Sequence, residues 1–229
     1  MRSMRTAVLW SGGKDCFAAG LRSGALEDAG SRLITFVPAG ERPAFRCHPL
    51  GVMRRQAAGL GLAHELIEIA RDDWEASYRQ ALAVLAADGV ARVVTGDITP
   101  EQWPWLAAAC AAAGLAFETP LATAPHEDAS ALLDFLADAG VEATVAGVRA
   151  EHYRADFLGS PIGRELLREH GFDDAAAFHP CGERGEYHTV VTAFRGARFV
   201  DCEPATLPHV ERDGIWALDW PYSYTSDFH

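Results

Sequence analysis

Ser11-Gly12-Gly13-Lys14-Asp15-Cys16 follows a short apolar run at residues 6–10 and opens a stretch rich in helix formers. A strand that enters a helix through two glycines aims the helix's first N–H groups at one spot, at the positive end of its dipole. Such a turn can cradle phosphate. The glycines let the main chain approach an anion without an intervening Cβ, Lys14 adds a compact charge, and Asp15 offers a carboxylate to Mg²⁺. It is not a Walker A loop, which needs glycine where Val8 stands, and no G-x-G-x-x-G follows a strand. Lys14 is the only lysine, against 19 arginines. The plain alternative is a Gly-Gly turn with an incidental lysine. At the helix start Cys16 is expected as a neutral thiol near phosphate; the sharper reading, a sulfur-carrying nucleophile, has no adjacent base or partner thiol to support it.

A second concentration of chemistry lies at Cys181-Gly182-Glu183-Arg184-Gly185-Glu186-Tyr187-His188-Thr189, directly before an apolar run. Two glycines, two carboxylates, a phenol and an imidazole in nine positions suit a binding loop, although a tight turn with solvated carboxylates would read the same way. His179, Cys181 and His188 could also supply metal ligands, but their spacing matches no standard zinc pattern. Gly96-Asp97 ends another apolar run. Asp97 could serve Mg²⁺ or a ribose, or cap a helix beginning near Pro100.

The first hexapeptide resembles the SGGKDS signature of the PP-loop ATP pyrophosphatases, which cleave ATP to AMP and pyrophosphate while adenylating a substrate oxygen; Cys16 replaces the usual serine. The second motif resembles the GEGGEYHT signature of the diphthine–ammonia ligase branch of that family, with Arg184 where glycine is usual. Phe45, His48, Gln56-Ala57, Leu60-Gly61, Gly96-Asp97-Ile98, Pro120-Leu121 and Leu158-Gly159 fit the same branch in order, so the resemblance covers residues 6–199. It implies an adenine nucleotide alpha hydrolase-like fold, a Rossmann-like doubly wound parallel sheet. It implies ATP and Mg²⁺, with nucleotide contacts from Ser11, Gly12, Gly13, Lys14, Asp15, Cys16, His48, Gly96 and Asp97 and the metal on Asp15. Gly182, Glu183, Gly185, Glu186, Tyr187, His188 and Thr189 would bind the substrate. Lys14, Asp15, Glu183 and Glu186 would be catalytic. A substrate carboxylate would attack the α-phosphorus of ATP and ammonia would then displace AMP, the Glu183 and Glu186 pair binding a cation or taking up a proton while Tyr187 and His188 orient the acid. Diphthine is cationic, and Trp216, Trp220, Tyr222 and Tyr224 could cage its trimethylammonium group or be ordinary core aromatics. Arg184, or Ala-Phe-Arg-Gly-Ala-Arg-Phe at 193–199 in place of the usual acidic-Gly-Pro approach, could signal another substrate. Two other functions stay open: a PP-loop enzyme acting on tRNA, and an ATP or AMP sensor without turnover.

Short apolar runs alternate with helical stretches through residue 150, the pattern of a parallel sheet covered by helices. Strands are expected at 6–10, 32–37, 64–70, 91–95 and 141–148. Helices are expected at 14–28, 50–60, 74–87, 101–113 and 129–139, with Gly61, Gly89, Gly114 and Gly140 as stops. A smaller C-terminal α+β part at 151–229 follows the ATP-binding domain at 1–150. Its strands are expected at 187–192, 197–202 and 215–219, with Asp213-Gly214 as a hairpin turn. In an open parallel sheet, ligands bind where the strand order reverses. If the first and fourth strands adjoin there, the loop at 11–16 and Gly96-Asp97 flank one crevice.

The chain has 229 residues, 49% hydrophobic and 23% charged, enough for a sizeable core and against a largely disordered chain. No run approaches a membrane span and the first residues lack a signal peptide's apolar stretch, so a cytoplasmic protein with no membrane partner is expected. Five scattered cysteines read as free thiols. A net charge of -12 counts against nucleic acid. With 41 Ala, 19 Arg and no Asn, the composition looks like a high-GC codon bias, common in bacteria. The resemblance leaves two substrates open: diphthine on an archaeal or eukaryotic elongation factor, or, if the source is bacterial, another small carboxylic acid. There is no room for a glutaminase domain, so free ammonia is expected; a homodimer stays open.

Overall fold

The computed structural model describes residues 5–39, 47–98, 104–122, 130–174 and 177–222. The chain divides into two units. One comprises Met1–Ser11, Asp15–Pro43 and Ala57–Pro125; the other comprises Gly12–Lys14, Ala44–Gln56 and His126–His229.

The first unit is built on five strands: β1 (Arg5–Leu9), β2 (Arg32–Pro38), β3 (Ala63–Ile69), β4 (Val90–Val94) and β5 (Ala116–Glu118). Their order is β3-β2-β1-β4-β5 and every pairing is parallel. Ala7 faces Arg32 on one side and Val93 on the other, so the order reverses at β1 and the expected adjacency of the first and fourth strands holds. Central strands made of continuous apolar runs suit a sheet covered on both faces. The connecting helices are α1 (Lys14–Arg22), α2 (Leu50–Leu60), α3 (Trp74–Ala87) and α4 (Pro104–Ala112). α3 starts at Asp73, whose carboxylate accepts from the Ala76 N–H at 3.3 Å. Leu82 and Leu85 of α3 and Leu106, Ala109 and Cys110 of α4 pack in one core with Ala7, Ile34, Val90 and Val93. This α/β, Rossmann-like arrangement is the fold class expected. α1 stops at Arg22 rather than 28: Gly24 turns left-handed, at φ +70°, and only a short 3₁₀ turn, Ala25–Glu27, follows.

The second unit holds α5 (Ala131–Asp138), β6 (Val141–Arg149), α6 (Arg164–Glu169), β7 (Tyr187–Phe194), β8 (Ala197–Arg198), β9 (His209–Arg212) and β10 (Ile215–Leu218). Its sheet is antiparallel, ordered β8-β7-β6-β10-β9. β6 was expected in the parallel sheet and lies here instead, pairing with β7 and β10. A run buried on both faces reads alike in either kind of sheet; the outer place beside β4 falls to β5, three residues long. A boundary at 150 therefore cuts this sheet, and the second unit is not the smaller one. Phe157, Phe172, Phe178, Tyr187, Val190 and Leu218 lie in its core. Asp213 and Gly214, both at positive φ, turn β9 into β10 as the hairpin signal predicts. Among the described residues no helix is long and apolar enough to cross a membrane.

Candidate functional site

Lys14 is the centre of the chemistry in the second unit, and it is only 2% exposed. Its Nζ donates to the Cys181 carbonyl at 2.6 Å and stands 5.1 Å from the centroid of the Tyr187 ring. Its backbone N–H donates to Thr189 Oγ1 at 3.1 Å. An ammonium out of water needs such compensation, and a compact three-donor head fits where a planar guanidinium would not. The two motifs, more than 160 positions apart in sequence, thus meet at one side chain.

Gly12 seats the turn. It lies at φ +75°, and a Cβ there would stand 2.9 Å from Gln56 Oε1 and 3.0 Å from Met53 Cγ. Fully buried Gln56 donates through Nε2 to the carbonyls of Gly12, at 2.9 Å, and Val191, at 2.8 Å; the Val191 N–H also reaches Gly12 O. Sequence reasoning gave Gln56 no role. Its signal was an amide on a helix stripe otherwise made of Val52, Met53 and Ala57.

The loop after His179 closes on itself. Glu186, 3% exposed, accepts the His179 N–H at Oε1 (2.7 Å) and the Arg184 N–H at Oε2 (2.9 Å). His179 Nδ1 accepts from Cys181 and Glu183, His179 O from Gly182, and Gly182 O from Gly185. Every backbone N–H from His179 to Gly185 is therefore engaged. The carbonyls of Pro180, Cys181, Arg184 and Glu186 accept in turn from the Tyr187 hydroxyl, Lys14 Nζ, Arg149 Nη2 and the Arg149 N–H.

This accounting gives three of the expected site residues a structural part. Glu186 clamps the loop, each of its carboxylate oxygens accepting a backbone N–H. Tyr187 is 3% exposed and stacks on Phe178 with ring centroids 5.7 Å apart, a loop and core residue rather than one that orients substrate. Thr189 receives the Lys14 N–H, and so takes up one of the cradle's donors. Glu183 and His188 are half-buried, and the His188 ring meets His48 edge-on at 5.5 Å. Among the described residues no group of three or more His, Cys, Asp or Glu could hold a metal ion, so His179, Cys181 and His188 do not assemble as ligands. Among the described residues, two of the candidate cage aromatics have their own partners. Trp216 stacks on Tyr153 at 4.5 Å, Tyr222 carries the Arg55 guanidinium at 4.7 Å, and Tyr224, like Phe45, lies outside the described residues.

In the first unit, Ser11 Oγ donates to the buried Cys16 thiol at 3.5 Å. Asp15 lies in the first turn of α1. Gly96 ends β4 hard against that turn: a Cβ would stand 2.5 Å from Cys16 N and 2.6 Å from Asp15 C. Thr95 Oγ1 holds Asp97 Oδ2 at 2.6 Å; α4 is described from Pro104, and the helix start expected near Pro100 lies outside the described residues. Asp15, Cys16 and Gly96 are brought together, and Asp97 follows Gly96 in the chain. Asp15 and Asp97 offer carboxylates of the kind Mg²⁺ takes, one or two beside phosphate oxygens and several waters.

No family model matches the chain, and no curated protein matches it. Among solved structures it is similar to the crystal structure of a predicted subunit of tRNA methyltransferase from Methanocaldococcus jannaschii, at 18% identity and a TM-score of 0.43, over 85% of this chain and 100% of that one. A likeness at that level carries no function with it.

Proposed function

We propose that the chain is an ATP-dependent amide ligase of the PP-loop type, in the manner of the diphthine–ammonia ligases but acting on a small carboxylic acid. The observation that carries the reading is the Lys14 ammonium on the Cys181 carbonyl: the pyrophosphate-gripping motif and the substrate-loop motif are joined by the one lysine in the chain.

In this reaction the acid's carboxylate oxygen attacks the α-phosphorus of ATP. The bond to the bridging oxygen breaks and pyrophosphate leaves with the electron pair. Ammonia then attacks the acyl carbon, AMP departs, and one proton is released for each amide formed. The glycine turn and the start of α1 would hold the phosphates with the charge of Lys14 behind them, and Asp15 and Asp97 would carry Mg²⁺, which would supply neutralisation of charge on the departing pyrophosphate. Cys16 receives the Ser11 hydroxyl through its thiol.

The test is thermal denaturation of wild type, Lys14→Ala and Asp15→Asn with ATP and Mg²⁺, paired with AMP formation from α-labelled ATP across a panel of acids with ammonium. Saturation at 100 times Kd stabilises by about 2.7 kcal/mol, which raises Tm by about 2–4 °C per kcal/mol in a chain of this size. Wild type is expected to show that shift and both variants a smaller one; Asp15→Asn keeps the test meaningful if Lys14→Ala folds poorly. A wild-type chain that binds ATP and never forms AMP would be a sensor, and one with no shift at all would not be a PP-loop enzyme.

A further inference from the structure

With every N–H from His179 to Gly185 engaged, the loop has no backbone nest left for an anion, and recognition there falls to side chains. Two cations frame it. Arg149, at the end of β6, donates from Nη2 to the Arg184 carbonyl at 2.6 Å. Its guanidinium covers Gly185, where a Cβ would come within 3.4 Å of the same nitrogen. Arg184 extends from the loop itself, with Nε 3.6 Å from Glu186 Oε1. Arg149 is held by the Arg184 carbonyl and paired with Glu151, and Arg184 is paired with Glu186, yet both side chains stay open to solvent, 45% exposed for Arg149 and 49% for Arg184. Tethered guanidinium forks lose less freedom when they grip an oxyanion, and their planar donors match carboxylate and phosphate. The carboxylate near Arg149 is Glu151 at 3.4 Å, itself 63% exposed; so exposed a pair yields readily to a better-placed anion.

We infer that Arg149 and Arg184 form a subsite for a second acidic group, carboxylate or phosphate, on the acid that this chain activates. The site selects a dianion, the opposite of a trimethylammonium-bearing substrate. The inference rests on the adenylating reading for the fate of the first carboxylate; the anion subsite itself needs no ATP.

The experiment is isothermal titration of the full chain, without nucleotide and in phosphate-free buffer of low ionic strength, with three probes of equal length: butyrate, succinate and 3-phosphonopropionate. Succinate or the phosphonate is expected to bind at least tenfold more tightly than butyrate, and whichever is tighter names the second group. Arg184→Gly and Arg149→Gln are expected to erase that preference while the Tm of the unliganded chain changes by no more than a few degrees, and Arg184→Gln serves if the glycine variant is unstable. Equal affinity for butyrate and both dianions, or an Arg184→Gly chain that keeps the preference, overturns the subsite. A dianion preference in a chain that never makes AMP would keep the subsite and remove the adenylating reading. AMP formation with monoacids alone would do the reverse.

Discussion

At the scale of single residues, burial decides what Lys14 and Cys110 can do. Removing the Lys14 ammonium leaves the buried Cys181 carbonyl without its donor, and replacing it by Arg forces a larger planar head into the same slot. Lys14→Met and Lys14→Arg are both expected to lower unfolding stability by about 1–3 kcal/mol in urea titrations, where an exposed lysine would change it by less than about 0.5. Cys110 is fully buried in α4, and burial pushes its thiol from 9.0 up to about 11. In the unfolded chain the thiol ionises first, so its contribution is complete below pH 9 and is lost as pH rises from there toward 11. The expected loss is about 2–3 kcal/mol across that window, and Cys110→Ala should flatten this part of the stability profile. Of the five cysteines only Cys202 is partly exposed, so one thiol is expected to react quickly with a disulfide reagent in the native chain and five in denaturant.

At the scale of elements, one contact fixes how β6 and the start of α2 are built. Gly147 lies opposite His188 in the sheet, and a Cβ there would collide with the Cys47 thiol. Gly147→Ala is expected to cost about 1–3 kcal/mol, with most of it restored in a Cys47→Ala background; equal losses in both backgrounds would refute that contact. The helices at 50–60 and 74–87 were legible to the residue because apolar spacing and capping residues agree there. The direction of β6 was not legible, because a doubly buried strand carries no mark of its partners. β5, β9 and α6 are too short to show a period. The site was legible as two motifs, whereas the clamp roles of Gln56, His179 and Glu186 depend on hydrogen bonds to main chain, which leave only the faint trace of a polar residue in an apolar setting.

At the scale of the whole molecule, a net charge of -12 sets what can approach it. No tRNA retardation is expected at about 50 mM salt, where electrostatic binding is strongest, and a shift with a steep salt slope would restore the tRNA reading. A small dianion escapes this repulsion through a local pair of arginines, since the Debye length of about 10 Å at 0.1 M hides distant charge. The self-bonded loop also bears on descent. A main chain that satisfies its own donors stays folded whatever side chains positions 183 and 184 display, so lineages can exchange one cargo for another there by single codon changes. His179, Glu186 and Tyr187, whose own bonds hold that main chain, are then the positions of the loop least open to exchange.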